Sequence, residues 1–530
     1  MKRKVFGVSL FTITCLYGLL AGIVILAVML AGGDVLYGII GSLIVLIIQF
    51  LISPWLTDLS MKLFYKADFN SDIPSYLKDF IEEECDKHNI IYPKIGFIDD
   101  GAPNAFTYGR TKKDARIVIT RGIYDLLTEE EVKAVVAHEL GHIAHMDILV
   151  MTAVQAVPLV LYAIYQVLTK REKSKSNNND AENKAALIGY IALILYFISQ
   201  YFILWLSRTR EYYADDFSVT ETKNPNALAE ALVKIGFGLS ISTSDGKNDV
   251  SSKNALGIFD KNAGKAMTLA SIDGNKLNKE KIKKSMRWEM WNPWAKWFEL
   301  NSTHPLISKR ISKISERSEE FNQSPYIKFD LNKPESYVDD FLLEVFIYFM
   351  PLLCILTTII LCIIMKEYMD KIIVIGALLT IILSFIKFKR KHKSGYKETT
   401  VEELLGEIKV SHVTSIPVIL KGTIIGRGNP GCIFNEDFVI KDETGIMFLD
   451  YNQPLSIINT LFAIFKSKEY FDKEVIVKGW YRRSPMPYVE IYEYIVDGKK
   501  KKIWTYGLIM TLYIVGFIIT ALFGAAILFI

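Results

Sequence analysis

The chain has 530 residues, 51% of them hydrophobic, and a formal net charge of only +4. A net charge this small for the length says little about nucleic-acid binding. The five cysteines lack the paired spacing that would suggest a disulfide framework or a thiolate metal site. This composition is typical of a membrane protein with room for soluble domains.

Seven apolar runs are long enough to cross a bilayer, which requires about 20 residues each. They are residues 5–30, 36–56, 148–168, 186–207, 345–365, 371–388 and 503–530. We interpret the first as a retained anchor, because its apolar run is too long for a signal peptide. Basic clusters at 2–4, 387–393 and 499–502 flank spans and predict a cytoplasmic N-terminus. With seven crossings, residues 57–147, 208–344 and 389–502 are cytoplasmic.

One loop disagrees with this topology. Residues 169–184 are predicted outside, yet they carry five basic and three acidic residues. Either this loop is a local exception to the positive-inside rule, which we favour, or the two flanking spans form a hairpin that does not cross the membrane fully.

Residues 138–142 read HELGH and predict a zinc site. His138 and His142 are four positions apart, so both imidazoles lie on one face of a helix and can reach one cation. Glu139 lies beside them and can take a proton from a zinc-activated water. A capping box of Thr128 and Glu131 predicts the start of this helix. The alternative is a helix with surface histidines.

A catalytic zinc needs a third protein ligand. His145 is about 10 Å along the helix axis from His138, which is too far to share the ion. A histidine six residues after the second is excluded, because Ile148 occupies that position. Glu211 and Asp215 lie one turn apart after the fourth span, and they could supply a ligand and its hydrogen-bonding support. The alternative is a charged helix start beside the membrane.

Tryptophans recur every three residues between positions 288 and 297, beside a basic run. They are Trp288, Trp291, Trp294 and Trp297. The pattern predicts either an element in the lipid headgroup region or tryptophans that pack on the core of the domain that carries HELGH or line its cleft. Pro293 is expected to interrupt a helix there.

The region beyond residue 392 predicts a small β-barrel of the OB type. Runs of strand-forming residues at 416–431, 438–451 and 473–496 are separated by turn residues. The side chains suited to stacking on bases or binding phosphates are Arg427, Trp480, Tyr481, Arg482 and Arg483. Nucleic acid is disfavoured as a partner, because the module is tethered to the membrane at both ends and is not strongly basic.

Residues 1–320 resemble the HtpX-like and CAAX prenyl protease family of membrane-bound zinc metalloproteases, the gluzincins. The resemblance rests on HELGH, on Asp147, on SRTREYYAD at 207–215, on PNAFTYG at 103–109 and on STHPLISKRI at 302–311. It implies that Glu211 is the third ligand of one zinc ion per chain, with His138 and His142, and that Glu139 is the general base.

The resemblance also implies roles for two further segments. Similar proteases bind substrate as an added strand along the edge formed here by Asn104, Ala105, Phe106 and Thr107; an ordinary edge strand is the alternative. His304 and Arg310 match the family's H-P-x-x-x-x-R pattern, and His304 would hydrogen-bond the developing oxyanion. Without the resemblance, His304 reads as a helix-cap or surface residue.

We therefore predict a multi-span α-helical membrane protein with a mainly α zincin-like cytoplasmic catalytic domain, a small edge sheet and a C-terminal OB-like β-barrel. The predicted domains are a two-helix anchor at 1–57, a protease domain at 58–338 with a membrane hairpin at 148–207, a helix pair at 339–392, the β module at 393–500 and a last span at 501–530.

The predicted function is zinc-dependent cleavage of membrane or misfolded proteins at the cytoplasmic face, as in quality control. The expected partners are the lipid bilayer and membrane-protein or peptide substrates; the sequence indicates no oligomeric state. One alternative is CAAX-type or other specific peptide processing. An alternative of another class is a non-catalytic membrane scaffold or sensor that works through the β-barrel.

Overall fold

The computed structural model describes residues 48, 51–52, 54–101, 103–169, 179–241, 272–273, 276–329, 335–427, 436–484 and 486–529. The predicted span 5–30, most of the span 36–56 and most of the loop 169–184 lie outside these residues.

The helices of the described residues are α1 Ser75–His88, α2 Arg121–Leu126, α3 Glu129–Ala144, α4 Asp147–Thr169, α5 Asn179–Thr222, α6 Pro225–Ile241, α7 Lys279–Trp291, α8 Pro293–Glu299, α9 Ile307–Glu316, α10 Val338–Ile364, α11 Met369–Lys391, α12 Val401–Gly406, α13 Ser456–Phe465 and α14 Thr505–Phe529. The strands are β1 Lys94–Ile98, β2 Ala105–Tyr108, β3 Arg116–Thr120, β4 Ile272–Asp273, β5 Lys276–Leu277, β6 Lys397–Glu398, β7 Ile416–Arg427, β8 Phe438–Lys441, β9 Ile446–Asp450, β10 Glu474–Arg483, β11 Pro487–Val496 and β12 Lys499–Lys502.

The described residues form two compact units. The first unit contains the described residues up to 241 together with Glu299–Lys328. The second contains residues 272–273, 276–298, 329 and 335–529. This grouping differs from a continuous domain over 58–338, and the domain limits of the sequence analysis stay a prediction.

Five helices in the described part of the chain are long and apolar enough to cross a membrane. These helices are α4, α5, α10, α11 and α14, and they coincide with the last five predicted spans. In the first unit, α4 and α5 pack side by side through a cluster of buried aliphatic side chains, which includes Val157, Leu161, Ile188 and Leu206.

Helix α5 is longer than the apolar run that predicted it. Its 44 residues span about 66 Å, roughly twice the hydrocarbon thickness of a bilayer. The apolar run ends at residue 207, but the helix continues to Thr222. Glu211 and Asp215 are therefore carried rigidly by the same helix that forms the span.

The first unit also contains a three-stranded sheet in the order β1-β3-β2. Strand β3 is central and fully buried; it pairs parallel with β1 and antiparallel with β2. Strand β2, which carries the NAFTYG motif, is thus an edge strand of this sheet.

Helix α3 begins with the predicted capping box, which the structure confirms. Thr128 accepts a hydrogen bond from the Glu131 amide, and the Glu131 side chain accepts one from the Thr128 amide. The helix is held by polar contacts as well as by its buried apolar face. The Ser218 hydroxyl of α5 donates to the Ala134 carbonyl at 2.6 Å, and Lys234 of α6 pairs with Glu131 at 2.6 Å.

The second unit contains a closed five-stranded β-barrel, as the sequence predicted. The strands follow one another in the order β7-β8-β9-β11-β10, and β10 pairs back onto β7. The β9–β11 pair is parallel and the other four pairs are antiparallel. Two short strands extend the sheet, because β6 pairs with β7 and β12 with β11.

The five side chains that the sequence suggested for nucleic-acid contact are buried. For these residues the interpretation is therefore wrong. Exposed fractions are 8% for Arg427, 2% for Trp480, and 1% or less for Tyr481, Arg482 and Arg483. Arg483 donates to two backbone carbonyls, and Arg482 pairs with Glu490 at 2.8 Å. Arg482 and Arg483 are therefore paired inside the unit, and none of the five side chains is exposed enough to stack on a base.

Two of the four tryptophans, Trp288 and Trp294, are not anchors in the lipid headgroup region. Trp288 is 1% exposed and donates to the Val410 carbonyl, while Trp294 is 2% exposed and donates to Glu344. Both therefore pack inside the second unit. The expected interruption at Pro293 is confirmed, since α7 ends at Trp291 and α8 begins at Pro293.

The barrel needs a glycine at position 479, where β10 and β11 change register. A Cβ added there would overlap the carbonyl oxygen of Glu490. We expect Gly479→Ala to destabilise the second unit by about 1–3 kcal/mol, as overpacking does. Differential scanning fluorimetry in detergent should show a lower thermal midpoint.

Gly426→Ala is the matched control, because a Cβ at Gly426 on β7 would have no heavy atom of the described residues within 4 Å. Its midpoint should stay near that of the parent. Equal midpoints for the two variants would contradict the close approach at Gly479.

Candidate metal centre

The centre forms where α3 and α5 approach each other at Gly141, the fourth residue of HELGH. A Cβ at this position would lie 3.1 Å from the Ala214 Cα and 3.1 Å from the Phe217 Cβ of α5. That separation is tighter than ordinary van der Waals contact. The glycine therefore lets the two helices pack closely enough for their polar side chains to meet.

The three predicted ligands converge across this contact. His138 and His142 lie on one face of α3, and Glu211 faces them from α5. Their candidate ligand atoms all lie within 4.8 Å of one another. The Glu211 carboxylate oxygens are 3.6 Å from His138 Nε2 and 3.7 Å from His142 Nε2.

These spacings suit a single tetrahedral cation. With bonds of about 2.0–2.1 Å, the ligand atoms of tetrahedral zinc lie about 3.3–3.4 Å apart. His138 Nε2 is buried without a well-directed hydrogen bond among the described residues. Such an orphaned buried atom is costly unless a ligand satisfies it. The donor set of two imidazoles and a carboxylate therefore fits zinc.

Carboxylates hold both imidazoles from behind. Asp215 Oδ1 is 3.0 Å from His138 Nδ1, and Asp147 Oδ2 is 2.7 Å from His142 Nδ1. Burial favours the neutral form of His142, but Asp147 outweighs it and raises the pKa of His142 to about 9. The pocket thus favours positive charge, which a divalent cation can supply.

Glu139, the predicted general base, is buried beside this group and held by strand β2. The Thr107 hydroxyl donates a 2.7 Å hydrogen bond to Glu139 Oε2. The edge residues Asn104, Ala105 and Phe106 are buried as well. The strand and the catalytic helix are therefore linked through one side chain.

His304 and Arg310 reach the centre from the α9 region. His304 Nδ1 lies 3.2 Å from a Glu211 oxygen. Arg310 is 1% exposed, lies 3.3 Å from the same oxygen and pairs with Asp215 at 2.6 Å. Both residues contact the candidate ligand Glu211, and Arg310 also pairs with Asp215. The catalytic roles assigned from the motif stay predictions.

Sequence reasoning missed two contacts of this site. Asp147 was noted only as part of a motif, and Thr107 only as part of a strand. Asp147 folds back onto His142 because Met146 adopts a left-handed backbone conformation (φ 55°) between α3 and α4. An acidic residue just after the HELGH helix was the available signal. No sequence signal indicated that Thr107 reaches Glu139.

Comparisons with known proteins identify relatives of this chain. Residues 74–318 match peptidase family M48. A protease HtpX homolog of Methanothermobacter thermautotrophicus is 38% identical over 240 residues, which cover 45% of this chain and 87% of the relative. Protease HtpX of Legionella pneumophila is 27% identical over 302 residues, covering 56% of this chain and 95% of the relative.

Among solved structures, the crystal structure of S. mikatae Ste24p aligns with 18% identity and a TM-score of 0.34. The alignment covers 59% of this chain and 66% of that chain. The Methanothermobacter relative decides the family, because this chain is 38% identical to it and covers 87% of its length. The chain therefore belongs to the HtpX-like group of peptidase family M48, a family of zinc metalloproteases.

Proposed function

We propose that this chain is a zinc-dependent endopeptidase that cleaves membrane or misfolded proteins at the cytoplasmic face of the membrane. The proposal is carried by the convergence of His138, His142 and Glu211, with Glu139 buried beside them. A non-catalytic scaffold would not need all four groups at one buried point.

Each residue of the site has a separate role in peptide hydrolysis. When bound, zinc supplies a Lewis acid and lowers the pKa of its water to about 7. Glu139 accepts the proton of the attacking water and returns it to the leaving amine. Thr107 holds the Glu139 carboxylate in place. His304 would donate to the developing oxyanion, and Arg310 serves as a positioning residue through Asp215 and Glu211.

Membrane placement supports a substrate class. Glu211 lies four residues, or about 6 Å of helix, beyond the apolar part of α5, and α4 begins at Asp147 next to His142. The metal would then lie close to the membrane surface, within reach of membrane proteins and their loops. The basic clusters at 387–393 and 499–502 support seven spans with a cytoplasmic site.

We also infer that the catalytic domain is zincin-like and that the barrel is of the OB type. Support for the barrel comes from its five strands, their closed path and the mostly antiparallel pairing. Residues 319–530 lie beyond the segment that matches the protease family. The barrel is thus an addition to the protease.

The base assignment can be tested with Glu139→Gln. The variant should keep its zinc, because Glu139 is not a ligand, but lose casein cleavage by about 10²–10⁴-fold. Zinc content and cleavage are measured on detergent-solubilised protein. Parent activity should disappear with a chelator and return with zinc.

Two controls complete this experiment. Glu130→Gln changes an exposed glutamate of the same helix, and its activity should match the parent. Glu211→Gln should lose zinc as well as activity. Parental cleavage by Glu139→Gln would show that another group is the base.

The link between strand and base can be tested with Thr107→Val, which keeps the side-chain shape and removes the donor. A hydrogen bond to a charged group contributes about 1.5–3 kcal/mol, so we expect kcat to fall about 10- to 100-fold. KM should stay unchanged, and Thr107→Ser should restore kcat. A raised KM with parental kcat would instead assign Thr107 to substrate binding.

A further inference from the structure

A second group of potential metal ligands lies in the first unit, separate from HELGH. It consists of Glu84 and His88, one turn apart on α1, and Glu221 near the C-terminal end of α5. His88 Nε2 is 3.1 Å from a Glu221 oxygen and 3.7 Å from Glu84 Oε2. All three ligand atoms lie within 4.8 Å of one another.

The buried member of this group has an unsatisfied atom. The Glu84 side chain is only 2% exposed, and Lys87 pairs with its Oε1 at 2.7 Å. The other oxygen, Oε2, faces His88 and has no hydrogen-bond donor among the described residues. The Glu84 carboxyl also lies close to that of Glu221, and the two can hydrogen-bond only if they share a proton. A buried carboxylate oxygen without a partner is costly, and a second carboxylate nearby increases the cost.

We propose that Glu84, His88 and Glu221 form a second divalent-cation site that takes a transition-metal ion such as Zn²⁺. One imidazole and two carboxylates match the nitrogen and oxygen ligands of such ions. The spacings of 3.1 and 3.7 Å are close to those at the HELGH centre. Lys87 uses the oxygen of Glu84 that points away from the proposed ion.

The position of the group indicates a structural role. Glu221 lies ten residues beyond Glu211 on α5, about 15 Å along the axis. The His88 ring packs on Phe217 at 4.7 Å, and Phe217 is one of the residues that contacts Gly141. An ion here would fasten α1 to α5 near the helix contact that the HELGH centre depends on.

Metal analysis of the purified full-length chain in detergent tests the proposal. After chelation and reloading with zinc, the parent should hold about two equivalents per chain, and Glu221→Gln about one. His142→Ala, which disables the HELGH centre, should also hold about one. The double variant should hold none. The thermal midpoint should depend on zinc in His142→Ala but not in the double variant.

Glu83→Gln is the matched control, because Glu83 also pairs with Lys87 but is 65% exposed and outside the group. It should keep the parental metal content. Glu84→Gln replaces Glu221→Gln if the latter does not fold. The proposal would be overturned if the parent held only one zinc equivalent, or if Glu84→Gln and Glu221→Gln both held two. In that case a proton shared between the carboxyls of Glu84 and Glu221 explains why they lie close together.

Discussion

The close contact of α3 and α5 at Gly141 is the constraint on which the centre depends. Two imidazoles from one helix cannot complete a metal site, and the third group must arrive from elsewhere in the chain. Glu211 can reach them only if the helices pack with almost no space between their backbones. Gly141 permits that distance, and the Ser218–Ala134 hydrogen bond holds it.

Burial then determines how the charges must be arranged. Glu211, Asp215 and Arg310 are each 5% exposed or less, so their charges must be balanced inside the protein. Arg310 offsets Asp215 and part of Glu211, while Asp147 and Asp215 orient the imidazoles. Arg210 pairs with Asp147, so both carboxylates behind the imidazoles have an arginine partner, and Glu211 faces the two imidazoles as the candidate anionic ligand.

Much of this could be predicted from the sequence, because the signals are local. The four-residue spacing of His138 and His142 and the capping box each depend on a single helix. The alternating strands of the barrel are equally local. Five apolar runs beyond residue 147 coincide with five helices. The third ligand required a family resemblance, since nothing local distinguishes Glu211 from other acidic residues after a span.

What could not be predicted depends on tertiary packing or on unusual backbone geometry. Asp147 reaches His142 only through the left-handed turn at Met146. The sequence suggested Arg482 and Arg483 as residues for nucleic-acid contact, yet the second unit buries them. The most direct test of the centre is a zinc anomalous-difference map from crystals of the full chain. It should show a peak about 2.0–2.2 Å from His138, His142 and Glu211. A zinc peak on the histidines with Glu211 turned away would contradict this account.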